Sequence, residues 1–431
     1  MNFEESQNYL YGLGNEVLAM KLGLENIRTL LTALENPEKQ YLKVQIAGTN
    51  GKGSTVAFLE SVCVQAGIAV GATVSPHLIS VTERVRINGD EISEKGFARL
   101  ATKIRETSEK LVENGNLETV PTYFEQVTAI ALLAFAEAKV EIAILETGLG
   151  GRFDATTAAN AEIVAITPVD LDHQRILGDT ISEIAAEKAA IIRADTKVFA
   201  AEQKSEAEKV IYGKCRKVGV EAIRSKPQVI EIEDLGGFLC VNFKTPLTDY
   251  QVEMNMLGRH QLQNANLAIL IAESLRDYGF KVTKENILTG IETAKHRGRL
   301  EYRNGFLFDG AHNISGAKAL RDYLEEFNQK PITMIFGAMR DKDLTEIAEI
   351  LFAKTAKLIL TKPDNPRSME TEEILRFVPT GFQGKVFQTE TVADALIKAE
   401  EISVESELKL VTGSLYLVGE AQKILKSKTE I

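Results

Sequence analysis

The chain has 431 residues, 44% apolar and 26% charged, with a formal net charge of −11. That length predicts two or three domains, each able to bury its own core. The acidic balance excludes a general nucleic-acid binder, which needs a basic face against the phosphates, but leaves room for a local basic site.

The N-terminus, Met1-Asn2-Phe3-Glu4-Glu5, lacks the basic-then-apolar plan of a signal peptide. Leu42–Ala47 reads as a short buried strand, followed by Gly48-Thr49-Asn50-Gly51-Lys52-Gly53-Ser54 and then a helix through Thr55-Val56-Ala57-Phe58-Leu59. A glycine-rich turn between strand and helix is the setting of a phosphate-binding loop. Its glycines allow positive φ, so that successive N–H groups line one concavity, and the helix N-terminus adds partial positive charge. Lys52 is placed to reach the β- and γ-phosphates, and a hydroxyl near Ser54 to face a metal. Gly48 and Gly51 stand closer together than in G-x-x-x-x-G-K-[S/T], and the bland alternative is a flexible glycine turn. The expectation is a nucleoside triphosphate site.

Further strands are expected at 68–74, 141–146, 162–167 and 197–200, with helices at 95–113, 123–139 and 182–193. Such alternation predicts a parallel sheet covered on both faces. The longest apolar run, 127–136, is too short to span a bilayer, so a cytoplasmic protein without a membrane partner is expected. Glu146 ends one strand, just before Thr147-Gly148-Leu149-Gly150-Gly151-Arg152. A carboxylate at a strand end near a phosphate loop suits Mg²⁺ on the nucleotide. The next strand leads to Asp170-Leu171-Asp172-His173, where His173 is a candidate ligand rather than a structural histidine. Lys188 sits among small and apolar residues in Glu187-Lys188-Ala189-Ala190-Ile191-Ile192. It either faces inward, where an ammonium is costly, or snorkels to solvent.

Segments 230–232, 238–243 and 250–253 read as antiparallel strands at the sheet edge, followed by helices at 261–278 and 284–295. His296-Arg297-Gly298-Arg299 reads as a joint, after which a second alternation runs to the C-terminus without a phosphate loop of its own. The whole predicts an α/β protein: a nucleoside-triphosphate-binding phosphate-loop domain with a parallel sheet over 1–296, and a smaller Rossmann-like domain over 297–431. Thr361-Lys362-Pro363-Asp364 mimics a base-reading motif but lies in the second domain, and is read as a turn. Cys63, Cys215 and Cys240 lack Cys-x-x-Cys spacing and read as reduced thiols.

Taken in order, Gly48–Ser54, Ser75-Pro76-His77-Leu78, Glu83-Arg84-Val85-Arg86-Ile87-Asn88-Gly89, Tyr123-Phe124-Glu125 and Glu146–Thr156 form a set. Leu171-Asp172-His173, Glu187-Lys188-Ala189, His260–Ala265, Gly298-Arg299, Asp309–Asn313 and Thr412–Tyr416 continue it. With these landmarks the chain resembles the folylpolyglutamate synthase/dihydrofolate synthase family, a branch of the ATP-dependent Mur ligases, over nearly its whole length. Individually several are weak; the ordered set is specific.

The resemblance implies ligation of L-glutamate to a folate or to dihydropteroate, through an acyl phosphate, with ATP and two Mg²⁺. Gly48, Thr49, Asn50, Gly51, Lys52, Gly53 and Ser54 then hold the triphosphate. Ser75, Glu146 and His173 match the family's magnesium ligands, with Ser54 on the nucleotide's metal. Lys188 matches its carbamylated lysine, and Lys52, His173 and Lys188 its catalytic groups. Asn264, Arg299, Asp309 and His312 match nucleotide-binding positions. Thr122, Tyr123, Phe124, Phe153, Asp154 and Ala155 match the pterin side, and the segment Ala19–Leu24 is expected to influence the choice of acceptor. The second domain is expected to close over the reaction, and the enzyme to be a monomer. His296-Arg297 replaces a frequent Trp-Pro, and Ala190 the usual glycine after Glu-Lys-Ala. A Mur-type ligase acting on a cell-wall precursor is the alternative.

Overall fold

The structure, a computed structural model, describes residues 1–14, 23–234 and 238–429. The segment 19–22, expected to bear on acceptor choice, lies outside the described residues. Contacts divide the chain into two compact units, one of 1–230, 241–252 and 262–294, the other of 231–240, 253–261 and 295–431.

The first unit is built on β1 (Leu42–Ala47), β2 (Val70–Thr73), β3 (Arg86–Ile87), β4 (Asp90–Glu91), β5 (Ile142–Glu146), β6 (Ile163–Ile166), β7 (Lys197–Ala201) and β8 (Ala222–Ser225). They form one sheet in the order β4-β3-β2-β5-β1-β6-β7-β8. From β2 to β8 all neighbours run parallel; β3 and β4 add an antiparallel margin turned by Asn88-Gly89, both at positive φ. The near-continuous apolar runs of β5 and β6 are those of strands covered on both faces. Ala143 and Leu145 join a core with Ile27, Phe97, Ile104, Ile130 and Phe135, whereas Val164, Ile166 and Val198 pack with Ile184 and Ile211. Helix Lys52–Gln65 is buried almost all round, so its sequence shows little amphipathic period.

One expectation is corrected. The strands placed at the sheet edge instead form a separate three-stranded sheet of β9 (Val229–Asp234), β10 (Leu239–Lys244) and β11 (Asp249–Met254), and β8 occupies the edge. The strands themselves alternate as expected: Leu239, Val241 and Phe243, like Tyr250, Val252 and Met254, are buried on one face. The Thr245 and Tyr250 hydroxyls both donate to Glu273 Oε1, at 2.7 and 2.9 Å, tying β10 and β11 to helix His260–Ser274. Helices Phe3–Gly12, Glu25–Ala33 and Ser205–Val218 were not anticipated.

The second unit carries β12 (Glu301–Arg303), β13 (Phe306–Phe308), β14 (Ile332–Phe336), β15 (Thr355–Leu360), β16 (Lys385–Gln388) and β17 (Leu408–Thr412) in the order β12-β13-β17-β14-β15-β16. All neighbours from β13 to β16 are parallel, and β12 is antiparallel to β13. Leu307, Met334, Phe336, Leu358 and Leu410 share its core with Leu320, Leu324, Ile347 and Leu351. Cys63 and Cys215 are buried and Cys240 half-buried, and none of the three is in a disulfide. Among the described residues no helix is long and apolar enough to cross a membrane.

Candidate active site

Four adjacent parallel strands, β2-β5-β1-β6, end on the same side of the sheet. Ligands gather at the carboxyl ends of such strands. There the exits carry Ser75 after β2, Glu146 at the end of β5, Gly48 after β1 and the 167–173 segment after β6.

The glycine loop is pinned to the exit of β6. The Thr49 and Asn50 amides donate to Pro168 O (3.0 and 3.3 Å), and the Thr49 hydroxyl donates to Asp170 O while accepting from Asp170 N, both at 3.0 Å. Gly48, at φ 154°, leaves no room for a Cβ, which would stand 1.8 Å from Thr167 Oγ1. Gly51, at φ 86°, would place one 2.2 Å from Asn264 Oδ1. Only glycine meets both the φ and the close approach. The first intrahelical bond runs from Thr55 N to Gly51 O (2.9 Å), so the Lys52 and Gly53 amides lie ahead of it at the helix's positive end.

Two lysines converge on this loop. Lys52 Nζ donates to Gly48 O and Thr49 O, each at 3.2 Å, and Lys188 Nζ donates to Gly48 O at 2.8 Å. Lys188 is 4% exposed, which rules out the snorkelling alternative. Burial pushes its ammonium down to about 7, helped by repulsion from Lys52 and opposed by Asp172 and Asp154. Its helix, Ile181–Ala189, starts on a Thr180/Glu183 capping box, and Glu187 O accepts the Arg152 amide at 3.0 Å. Ala190 caps that helix at φ −63°, ψ −21°, an ordinary right-handed conformation that does not require glycine.

Glu146 is 6% exposed, and its Oε2 accepts the Ser75 amide at 3.2 Å. His173 has φ 51°, which turns its half-buried ring at the start of a short helix, and Asp172 Oδ2 lies 4.0 Å from its Nε2. Among the described residues no group of three His, Cys, Asp or Glu could by itself hold a metal. A hydroxyl, a buried carboxylate and an imidazole do not make a closed zinc-type cage. They suit Mg²⁺, which keeps waters and arrives on phosphate oxygens with few protein ligands. The donor set therefore fits that ion.

An aromatic group flanks this region. Thr122 and Glu125 form a capping box, Tyr123 is buried, and Phe124 packs on Gly148, where a Cβ would meet its ring at 2.5 Å. The Asp154 carboxylate is buried and accepts from Leu149 N (2.9 Å) and Thr156 N (3.0 Å), beginning the short helix Ala155–Ala159. Burial raises its pKa against the opposition of those bonds. Ala155 is buried and Phe153 is 39% exposed. Two neighbours, Tyr11 and Arg84, were not read as site residues from the sequence. Tyr11 stacks on Tyr123 (5.7 Å, 17°), the Arg84 guanidinium lies 5.5 Å over the Tyr123 ring, and Arg84 Nε donates to His77 Nδ1 at 2.9 Å. Burial, with Arg84 beside it, pushes His77 down to about 3, so the ring is neutral with its proton on Nε2. The position of Tyr11 on the unanticipated first helix hid it.

In the second unit, Arg299, Asp309 and His312 gather around Gly310 at the exit of β13. Arg299 Nη1 donates to Gly310 O at 3.4 Å, and His312 Nδ1 to the same oxygen at 2.7 Å. Asp309 accepts from Leu300 N and Ala311 N, at 3.0 and 2.9 Å; burial raises its pKa while Arg299 opposes the rise. Lys362 of the decoy motif is paired with Glu370 at 2.7 Å.

A model of the Mur ligase middle domain matches residues 46–272, and one of the Mur ligase glutamate ligase domain matches 298–415. The chain is 33% identical to the dihydrofolate synthase/folylpolyglutamate synthase of Bacillus subtilis, over 98% of this chain and 99% of that protein. It is 28% identical to the Escherichia coli enzyme of the same name, over 98% and 95%. Among solved structures, Mycobacterium tuberculosis folylpolyglutamate synthase complexed with ADP superposes with a TM-score of 0.91 at 26% identity, covering 98% of both chains. E. coli FolC in complex with DHPP and ADP gives 0.87 at 26% identity, covering 100% of this chain and 99% of that one.

Proposed function

This chain belongs to the Mur ligase family, and from that premise we propose that it is an ATP-dependent ligase joining L-glutamate to a folate or to dihydropteroate. The observation that carries the reading is the convergence of Lys52 and Lys188 on the Gly48 carbonyl, beside the Glu146–Ser75 contact. The loop and Lys52 are suited to ATP, and relatives whose structures hold ADP or AMPPCP support that assignment. Gly48 to Ser54 bind the triphosphate, with Asn264 against Gly51; Arg299, Asp309 and His312 keep the nucleotide-binding role that the resemblance gives them.

The acceptor's carboxylate attacks the γ-phosphorus, forming an acyl phosphate and breaking the bond to the leaving ADP oxygen. The glutamate amine then attacks the acyl carbon, the C–O bond to phosphate breaks, and the amine proton leaves with solvent. Both reactants of the first step are anions, so positive charge placed where they meet lowers the barrier. Lys52 supplies it from the loop. Ser75, Glu146 and His173, with Ser54, would hold Mg²⁺, which supplies further charge neutralisation when bound. Water must be kept from the acyl phosphate until the amine attacks it.

Lys188 is suited to carbamylation. A buried amine displaced to about 7 is substantially neutral at physiological pH. Its nitrogen adds to CO₂, losing a proton and leaving an anionic carbamate whose oxygen would serve as a ligand for a second Mg²⁺. The change removes the repulsion from Lys52. Thr122, Tyr123, Phe124, Phe153 and Ala155 form the pterin side, with Asp154 shaping its wall from within. The enzyme acts as a monomer in the cytoplasm.

The test measures ADP release by the purified protein with ATP and L-glutamate, adding dihydropteroate, tetrahydrofolate or a muramyl precursor in turn. Release with a pteridine acceptor is expected. Release only with the muramyl compound, or without any acceptor, overturns the proposal.

A further inference from the structure

Residues 77–80, between Ser75 and the short helix Val81–Arg84, lie outside any strand or helix and are fastened by side chains from that helix. Glu83 turns its carboxylate back along the chain. Oε2 accepts from Leu78 N at 2.8 Å, and Oε1 accepts from Ile79 N at 2.7 Å and Ser80 N at 2.8 Å. Of the Glu83 side chain a capping box requires only the bond to the N-cap amide, here that of Ser80. The bonds to Leu78 and Ile79 precede the cap and run toward Ser75. Bonds from amides to a carboxylate are charge-assisted, the strong kind. The next residue makes a second fastening, Arg84 Nε donating to His77 Nδ1 at 2.9 Å. At the far end the Ser75 amide meets Glu146 at 3.2 Å. Thus one carboxylate holds three successive amides of the only covalent link between Ser75 and that helix.

We propose that Glu83 is a positioning residue for the metal site: its grip on residues 78–80, seconded by Arg84 on His77, fixes where Ser75 stands against Glu146. It touches no reacting atom. The proposal rests on the reading that Ser75 and Glu146 hold the nucleotide's metal, and extends it to a residue outside the donor set. Partners behind a metal's ligands commonly set its affinity, because they hold ligands where the ion needs them.

The test uses Mn²⁺ as the probe, with the full-length protein and a non-hydrolysable ATP analogue, for wild type, Glu83→Ala, Glu83→Gln and Ser75→Ala. Mn²⁺ affinity is read by electron paramagnetic resonance, amide exchange at 77–80 by mass spectrometry, and Tm by calorimetry. Glu83→Ala is expected to weaken Mn²⁺ about tenfold or more, with faster exchange at 77–80 and metal-free nucleotide affinity unchanged. Glu83→Gln keeps an oxygen for Ile79 and Ser80 but loses the acceptor for Leu78, and is expected to fall between. Should Glu83→Ala fail to fold, the glutamine variant decides. Faster exchange or a lower Tm with unchanged Mn²⁺ affinity makes Glu83 a structural cap and overturns the proposal. If Ser75→Ala weakens Mn²⁺ while neither Glu83 variant does, positioning fails and the metal reading stands. If Ser75→Ala also leaves Mn²⁺ affinity unchanged, both fail.

Discussion

Lys52 and Lys188 share one acceptor, the carbonyl oxygen of Gly48, at 3.2 and 2.8 Å. Two ammonium groups meeting at one neutral oxygen repel each other, and one of them is buried. The arrangement is relieved when Lys188 loses its charge.

Replacing Lys188 by alanine is therefore expected to lower kcat by about a hundredfold or more, the scale of losing a placed charge-stabilising group, while circular dichroism stays native. Wild-type enzyme stripped of CO₂ should regain activity on adding bicarbonate, and the alanine variant should not. Near-normal turnover by the variant removes the carbamate from the mechanism.

The same residue sets a pH dependence. In CO₂-free buffer the folded amine titrates at about 7, against 10.5 when free. Between those values the unfolded chain binds the extra proton, so unfolding free energy rises with pH across that window. The gain is complete above 10.5 and lost as pH falls through 7. Thermal melts of wild type against Lys188→Met should show the wild type gaining on the variant from pH 7 upward. A pH-independent difference counts against a buried free amine. Activity should fall as pH drops through about 7, because only the neutral amine takes up CO₂.

Gly51→Ala forces a Cβ to 2.2 Å from Asn264 Oδ1 at φ 86°. We expect a stability loss of about 1–3 kcal/mol from the strained conformation, with a larger loss of nucleotide affinity by calorimetric titration. Ala190→Gly is the contrast: the position is right-handed, and activity should stay within about twofold of wild type, because a surface-independent cap change of this kind costs less than about 1 kcal/mol.

Asp154→Ala leaves the amides of Leu149 and Thr156 without their buried acceptor. A cost of about 1–3 kcal/mol in urea unfolding is expected from that loss, together with a raised KM for the pteridine acceptor and little change in KM for ATP. An equal rise in both constants places Asp154 outside the acceptor wall.

The alternation of apolar runs made the parallel sheets legible, and the dense glycine motif the loop, because both follow from local sequence. Strands 230–253 were misplaced because a two-residue alternation reports that one face is covered and not what covers it; the Glu273 bonds that show it come from the far end of the helix that follows. The two environments that Lys188 could occupy have the same local sequence, and burial separates them. Tyr11 and Arg84 emerge only from packing on Tyr123, which no spacing in the chain announces.

The exit of β6 anchors the glycine loop through Pro168 and Asp170 and, a few residues on, presents His173. The placement of the glycine loop and that of the imidazole thus hang from one mechanical mount. An insertion of a single residue between Thr167 and Asp170 would shift both together, whereas the loop at Thr245–Thr248 could lengthen without touching either. Variation at this short stretch can be accepted only as a coordinated change, and the two functions are bound to a common tolerance.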